Sequence, residues 1–260
     1  MNILDKIIER KKVEVAESKA RVSMAELVRG PFYQSQTYSL RQFLLDEAKT
    51  GIITEYKRKS PSKGIINDAA TVEDVTSAYA ANGASGISVL TDADFFGGSL
   101  ADLQKAAILN KIPLLRKDFM IDEYQLHEAK AYGASVILLI AACLSIEEVK
   151  ALAVAAKSLH LEVLLEIHNE EELEHICDEV DLVGVNNRNL KTFEVNLEQS
   201  VQLSKSIPSD KIKISESGIH KVEDIQYLKG YGYRGFLIGE NFMKQPDPGA
   251  AFKTFAEELK

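Results

Sequence analysis

Ile3, Leu4, Ile7 and Ile8, then Val13 and Val15, lie among charged residues at a spacing close to one helical turn, and the pattern continues towards Met24 and Leu27. Gly30-Pro31 ends it. A second short helical segment is predicted over 40–49. From Gly51 a different unit repeats: a short apolar run ending in polar residues, a loop, an amphipathic helix, then a glycine or turn and the next run. Eight such runs occur, at 52–57, 86–91, 112–118, 135–142, 162–167, 181–187, 211–217 and 235–240. The approaches to the runs at Gly86, Ser135 and Gly235 look alike, each reaching the run through glycine and small residues.

Strands that alternate with helices must pair in parallel, because each parallel neighbour needs a crossover connection. Eight units close most naturally as a (β/α)8 barrel of the TIM type. An open doubly wound sheet is the alternative, but its usual Gly-rich first turn, G-x-G-x-x-G, is missing. The expectation is one domain: a helical N-terminal extension over 1–50 that packs on a catalytic barrel over 51–260, its apolar stripe covering part of the barrel near the mouth. The length of 260 residues suits such a barrel.

Composition narrows the function. With 45% hydrophobic and 27% charged residues the chain can build a sizeable core. A net charge of -8 argues against a nucleic-acid surface, so any anionic ligand must meet a local basic pocket. The longest apolar run, around 135–144, is too short to span a membrane, and the N-terminus lacks the apolar core of a signal peptide. A cytoplasmic protein is expected. Cys143 and Cys177 lie far from any C-x-x-C pattern and read as reduced, structural residues. No two-His-plus-carboxylate spacing suggests a metal.

In such a barrel the chemistry gathers at the C-terminal strand ends, and period-2 alternation decides which residues share a face. Ile53, Glu55 and Lys57 share one in the first strand, Leu115 and Lys117 in the third, Leu164 and Glu166 in the fifth, and Gly184, Asn186 and Arg188 in the sixth; the seventh ends in Ser215-Glu216-Ser217-Gly218. Each alone could be a strand-end charge reaching solvent. Repeated at five strand ends, lysines and carboxylates facing one cavity can hold different protonation states, which general acid and base chemistry requires. Ser217-Gly218 and Gly239-Glu240 follow the last two strands, where barrels often bind phosphate. Arg188 and the basic loop from Lys57 to Gly64, with Ser60, suit an anion too.

Most of these residues fall within six motifs: Glu55-Tyr-Lys-Arg-Lys-Ser-Pro-Ser62, Leu115-Arg-Lys-Asp-Phe119, Leu165-Glu-Ile167, Gly184-Val-Asn-Asn-Arg-Asn-Leu190, Ser215-Glu-Ser-Gly-Ile219 and Phe236-Leu-Ile-Gly239. Together they resemble those of indole-3-glycerol-phosphate synthase over nearly the entire chain. The resemblance implies a carboxy-lyase of tryptophan biosynthesis. It converts 1-(2-carboxyphenylamino)-1-deoxy-D-ribulose 5-phosphate into indole-3-glycerol phosphate with loss of carbon dioxide and water, using no cofactor and no metal. By similarity Lys117 is the general acid at the carbonyl, Lys57 stands near the substrate carboxylate, and Glu166 is the partner acid/base. Glu55, Asn186 and Glu216 orient them. Ser60, Arg188, Ser217 and the backbone around Gly218, Gly239 and Glu240 surround the carboxylate or phosphate.

Family members often have a small residue where this chain has Glu240, so its carboxylate is expected to point away from a phosphate while its N–H serves. The histidines, His127, His160, His168, His175 and His220, lie outside the motifs and are expected on helix surfaces or loops; His168 continues the face of Glu166 beyond the strand end. The partner is a small phosphorylated substrate, with no nucleic acid and no membrane, for a monomer that could contact other enzymes of the pathway. Rival readings are another phosphosugar barrel, either an isomerase or a lyase with Lys117 as a Schiff base, and a silent barrel that binds a partner.

Overall fold

The computed structural model describes residues 3–189 and 192–259, so Leu190 of the sixth-strand motif lies outside the described residues. In chain order the elements begin with helices α1 (Ile3–Arg21), α2 (Met24–Val28) and α3 (Leu40–Leu45), then strand β1 (Ile52–Tyr56). A hairpin of β2 (Lys59–Ser60) and β3 (Gly64–Ile65) precedes α4 (Val72–Ala81), β4 (Gly86–Leu90), α5 (Leu100–Leu109), β5 (Leu114–Lys117) and α6 (Glu123–Ala131). The chain continues with β6 (Val136–Ile140), α7 (Ile146–Ser158), β7 (Glu162–Ile167), β8 (Leu182–Asn186), α8 (Glu198–Leu203) and β9 (Ile212–Glu216). It ends with α9 (Val222–Lys229), β10 (Tyr233–Ile238), α10 (Glu240–Met243) and α11 (Pro248–Glu258).

Eight strands close in the order β1-β10-β9-β8-β7-β6-β5-β4, every neighbouring pair parallel. All eight apolar runs thus become staves of one (β/α)8 barrel. Alternation sorts their side chains: Ile53, Leu115, Leu138, Leu164, Ile214 and Leu237 fill the interior. Their neighbours Ile52, Leu114, Leu139, Val163, Val183 and Phe236 face the surrounding helices. The helices start where a short polar side chain can take an orphan backbone N–H: Thr71, Ser99, Asp122, Ser145 and Asp247 each accept one at the head of α4, α5, α6, α7 and α11.

The segment from Ile3 to Thr50 reaches both ends of the barrel. Ile3, Leu4 and Ile7 of α1 line the cavity at the C-terminal end. Lys11, buried, ties α1 down through Asp92 and Asp118, both at 2.9 Å, and also pairs with Glu14 of its own helix at 2.5 Å. Helix α3 plugs the opposite end, where Leu40 and Leu44 join the interior cluster. The Glu162 carboxylate at the start of β7 holds it, accepting from Ser39 Oγ and from the backbone N–H of Leu40 and Arg41. A carboxylate at a helix N-terminus meets its partial positive charge.

Two expectations need correction. The unit after β7 has no amphipathic helix: a 3-10 turn, Glu171–His175, takes its place. Its acidic run holds too few apolar residues for a buried helical face, and Glu172 instead accepts the backbone N–H of His168. The segment 40–49 is helical only to Leu45, because Asp46 turns extended and accepts from the N–H of Ala48.

Candidate active site

A cavity of about 500 Å³ opens at the C-terminal end of the strands. One wall is apolar, with Ile3, Leu4 and Ile7 of α1 facing Phe96 and Phe119, whose ring centroids lie 6.2 Å apart. The floor is charged, and an alternating strand delivers each group. Residues one position past an inward-facing leucine or isoleucine face outward, and those two positions past it face inward again at the mouth. Glu55 therefore follows Ile53, Lys117 follows Leu115, and Glu166 follows Leu164.

Lys117 Nζ sits between two carboxylates, 2.8 Å from Glu166 Oε2 and 2.9 Å from Glu216 Oε2. Asn186 Nδ2 donates to the other oxygen of Glu166 at 3.1 Å. Lys57 Nζ donates to Glu55 Oε1 at 2.5 Å. Glu55, Glu166 and Glu216 are buried. Burying charge is costly unless it is paired, and here the pairing is nearly complete. The carboxylates also need room. Gly184 on β8 and Gly239 after β10 provide it: a Cβ at Gly184 would strike Glu216 Oε1, and one at Gly239 would strike Glu55.

The two acids flanking Lys117 differ. Burial pushes the Glu166 carboxyl up, but Lys117 and His168 outweigh it and hold Glu166 well below the usual carboxylate range. Burial also raises Glu216; Lys117 opposes it, but the nearby charges of Glu166 and Glu55 add to it, and the group is pushed up to about 7. Burial lowers the Lys117 ammonium, but Glu166, Glu216 and Glu55 more than compensate and keep it firmly protonated.

The anion side is built from loops. Beyond β9 the backbone passes through two left-handed residues, Ser217 at φ 67° and Gly218 at φ 79°. Glycine adopts this freely; for serine it costs roughly 1–2 kcal/mol and persists only where neighbours enforce it. Asn187 is the enforcer, its buried side-chain amide donating to Ser215 Oγ and to the carbonyls of Glu216 and Ser217. Arg188, anchored by its N–H to Asn186 Oδ1 at 3.0 Å, and Ser60 of the hairpin line the same cavity. The hairpin itself is held at its root, where Arg58 stacks on Tyr56 and donates to both oxygens of Asp102 at 2.6 and 2.9 Å.

All twelve residues singled out in the sequence line this one cavity. Glu240 does so with its carboxylate 3.8 Å from Lys63 Nζ and 3.8 Å from Arg188 Nη2, among the cations of the anion side. In a partly exposed mouth two facing cations draw the nearest flexible carboxylate between them. His168 lies in the loop just past β7. Its ring is almost buried, 3.2 Å from Glu166 Oε1 and 3.2 Å from Glu172 Oε2, and although burial lowers its pKa, the two carboxylates raise it to about 10. The signal was present, since His168 stands two residues beyond Glu166 on the same face. Asn187 gives no such signal, being the residue just past β8 whose partners come from β9, the turn after it and α8. Among the described residues, no three His, Cys, Asp or Glu side chains converge as a metal site, and no helix is long and apolar enough to cross a membrane.

The fold recurs in proteins of distant sequence. A mutant tryptophan synthase α-subunit from Pyrococcus furiosus superposes with a TM-score of 0.61 at 16% identity, over 82% of this chain and 98% of that one. A mandelate oxidase superposes at 0.59 and 14% identity, over 80% of this chain and 70% of that one. Sequence relatives are far nearer. The indole-3-glycerol phosphate synthase of Bacteroides thetaiotaomicron is 46% identical over 259 residues, covering 100% of this chain and 99% of the relative. That of Polynucleobacter asymbioticus is 42% identical over 259 residues, covering 96% and 97%. With the model of indole-3-glycerol phosphate synthase matching residues 4–255, the chain belongs to the indole-3-glycerol phosphate synthase family.

Proposed function

We propose that the rim of this barrel closes an indole ring, converting 1-(2-carboxyphenylamino)-1-deoxy-D-ribulose 5-phosphate into indole-3-glycerol phosphate, carbon dioxide and water. The observation that carries the residue assignment is the protonated Lys117 held between two buried carboxylates at the cavity floor. Ring closure forms a bond between the aromatic carbon that bears the carboxyl group and the ribulose carbonyl carbon, and the carbonyl oxygen must gain a proton as it does so. Lys117 is the acid for that step. The carboxyl group then leaves as carbon dioxide, its electrons restoring the ring, and the new hydroxyl departs as water after a second proton transfer.

Lys57, paired with Glu55 at the first strand end, is the cation for the substrate carboxylate and for the departing hydroxyl. Glu166, kept ionised, is the base that takes a proton late in the sequence. Asn186 fixes its orientation. Glu216 is more than an orienting group, because a carboxyl near 7 both gives and takes protons at neutral pH. Ser60, Arg188, Ser217 and the backbone at Gly218, Gly239 and Glu240 receive the phosphate. The apolar wall of Phe96, Phe119 and α1 suits the aromatic ring. The chain is proposed to act as a cytoplasmic monomer, with residues 1–50 completing the site of the barrel over 51–260. Contact with other enzymes of the pathway is compatible with that arrangement.

A Schiff-base reaction is disfavoured by the same lysine, since an ammonium locked between carboxylates is not a nucleophile. The test is the growth of indole-type fluorescence on adding the substrate, against a protein that has no Trp. Signal from the wild type and its collapse in Lys117→Ala and Glu166→Ala support the assignment. A wild type that binds the substrate without signal ends it.

A further inference from the structure

The mechanism above leaves one question of symmetry. A single ammonium, Lys117, bridges two carboxylates, and nothing in that contact decides which of them holds a proton. The remaining oxygens decide. Glu216 Oε1 is buried without a hydrogen-bond partner. Glu166 Oε1 receives Asn186 Nδ2 and faces His168 Nε2 at 3.2 Å.

His168 is held by hydrogen bonds at its backbone and Nδ1 side, while its buried Nε2 has no hydrogen-bond partner and meets Glu166 Oε1 as an ion pair. Its backbone N–H donates to Glu172 Oε2 at 2.7 Å, its carbonyl accepts from Gln199 Nε2, and its Nδ1 lies 3.2 Å from the same Glu172 oxygen. Asn169 holds the far oxygen of Glu172 at 2.9 Å. The ring therefore spans two carboxylates, one per nitrogen. A neutral imidazole carries one N–H and one lone pair, so it would aim that lone pair at a carboxylate; only the imidazolium meets both favourably.

We propose that His168 is a positioning residue of the reaction: as the second cation on the Glu166 carboxylate, opposite Lys117, it keeps Glu166 ionised and leaves the exchangeable proton to Glu216. The charged groups facing this cluster are Lys117 from β5, Glu216 from β9, Glu55 from β1 and Glu172 from the 3-10 turn after β7. Cys143, on the turn after β6, adds no charge, because burial and the charges of Glu166 and Glu172 push its thiol up to about 12. With His168 charged, the buried carboxylates Glu55, Glu166 and Glu216 and the half-buried Glu172 meet three cations, Lys57, Lys117 and His168, which leaves one proton for Glu216, whose Oε1 has no partner. Without that charge the cluster carries two more acids than bases, so a second carboxylate beside Glu216 must take a proton, and Glu166, left with Lys117 alone, takes it.

The inference rests on the proposed reaction for its kinetic consequence, but not for its test. The ring nitrogens of His168, labelled with 15N and assigned with His168→Gln, report protonation directly in the wild type. The expected result is an imidazolium through pH 8 that titrates only near 10. Carboxyl 13C shifts should show Glu216 titrating near neutrality while Glu166 stays ionised. In His168→Gln, which keeps a donor but removes the charge, the acid limb of kcat/KM should move up by about one pH unit, a roughly tenfold loss on that limb. The loss on the alkaline side should be far smaller, and His168→Lys should restore the limb. A ring that titrates near 6.5 overturns the proposal, as does a His168→Gln profile parallel to the wild type at a uniformly lower rate. A wild type with no synthase activity but an imidazolium at pH 8 and an ionised Glu166 would sink the proposed reaction and leave the pairing standing.

Discussion

The floor and the mouth of the cavity hold similar charges in different physical states. At the floor Lys117, Glu166 and Glu216 meet at 2.8 and 2.9 Å, on strand ends fixed by the barrel, with glycines cut to the shape of the carboxylates. At the mouth Glu240 stands 3.8 Å from both Lys63 and Arg188, with a third to a half of the Glu240 and Lys63 side chains open to solvent. The floor charges interact in a desolvated site where removing one leaves its partner stranded. The mouth charges are screened by water and salt and are worth little to stability. The difference suits two tasks, since proton transfer needs fixed distances while a phosphate must displace what it finds.

The largest test of that contrast is Lys117→Ala, which should lower kcat by about 10³-fold or more with little change in KM, as for loss of a general acid acting only in the transition state. A drop confined to KM would move Lys117 from the chemistry to binding. The cluster under α1 repeats the floor arrangement away from the chemistry. Lys11→Met strands Asp92 and Asp118 and should destabilise the fold by about 3–5 kcal/mol, read as a lower urea midpoint. An unchanged midpoint would mean water replaces the ammonium.

A subtler disturbance of the floor is Gly184→Ala. Its methyl group must move the Glu216 carboxylate, and misplacement by about 1 Å should lower kcat roughly 10²-fold while the circular dichroism spectrum stays native. The smallest effect belongs to the mouth. Glu240→Ser should lower KM by about threefold at low ionic strength, and the gain should vanish in high salt, where a screened charge no longer competes for Lys63 and Arg188. A KM that rises instead would make the carboxylate part of substrate binding.

What the sequence conveyed follows from range. The staves were legible because each is an apolar run whose alternation is local, and the floor residues were legible because they extend that alternation by two. The hairpin of β2 and β3 was not, since two-residue strands around Pro61 and Gly64 make no periodic pattern and depend on Arg58 reaching Asp102. Helix α3 was visible as a helix but not as a plug, because the carboxylate that seats it, Glu162, comes more than a hundred residues later. The orientation of Glu240 is not legible in the sequence, because it depends on Lys63 and Arg188, which only the closed barrel brings together. His168 continued a face that had been recognised, and only its second carboxylate, Glu172 on the turn, gives that position its charge.

The tether of Lys11 also has a meaning in time. An ammonium can leave water only when Asp92 and Asp118 exist to receive it, and neither has been made when α1 leaves the ribosome. The same holds for α3, whose seat waits for Glu162. A segment made before its partners is thus bound to dock late, spending much of translation as a solvated amphipathic helix beside an unfinished sheet. Nascent chains stalled before residue 118 should be cut by protease within residues 3–21, and chains stalled well past it should resist; early resistance would mean that the helix finds another shelter first.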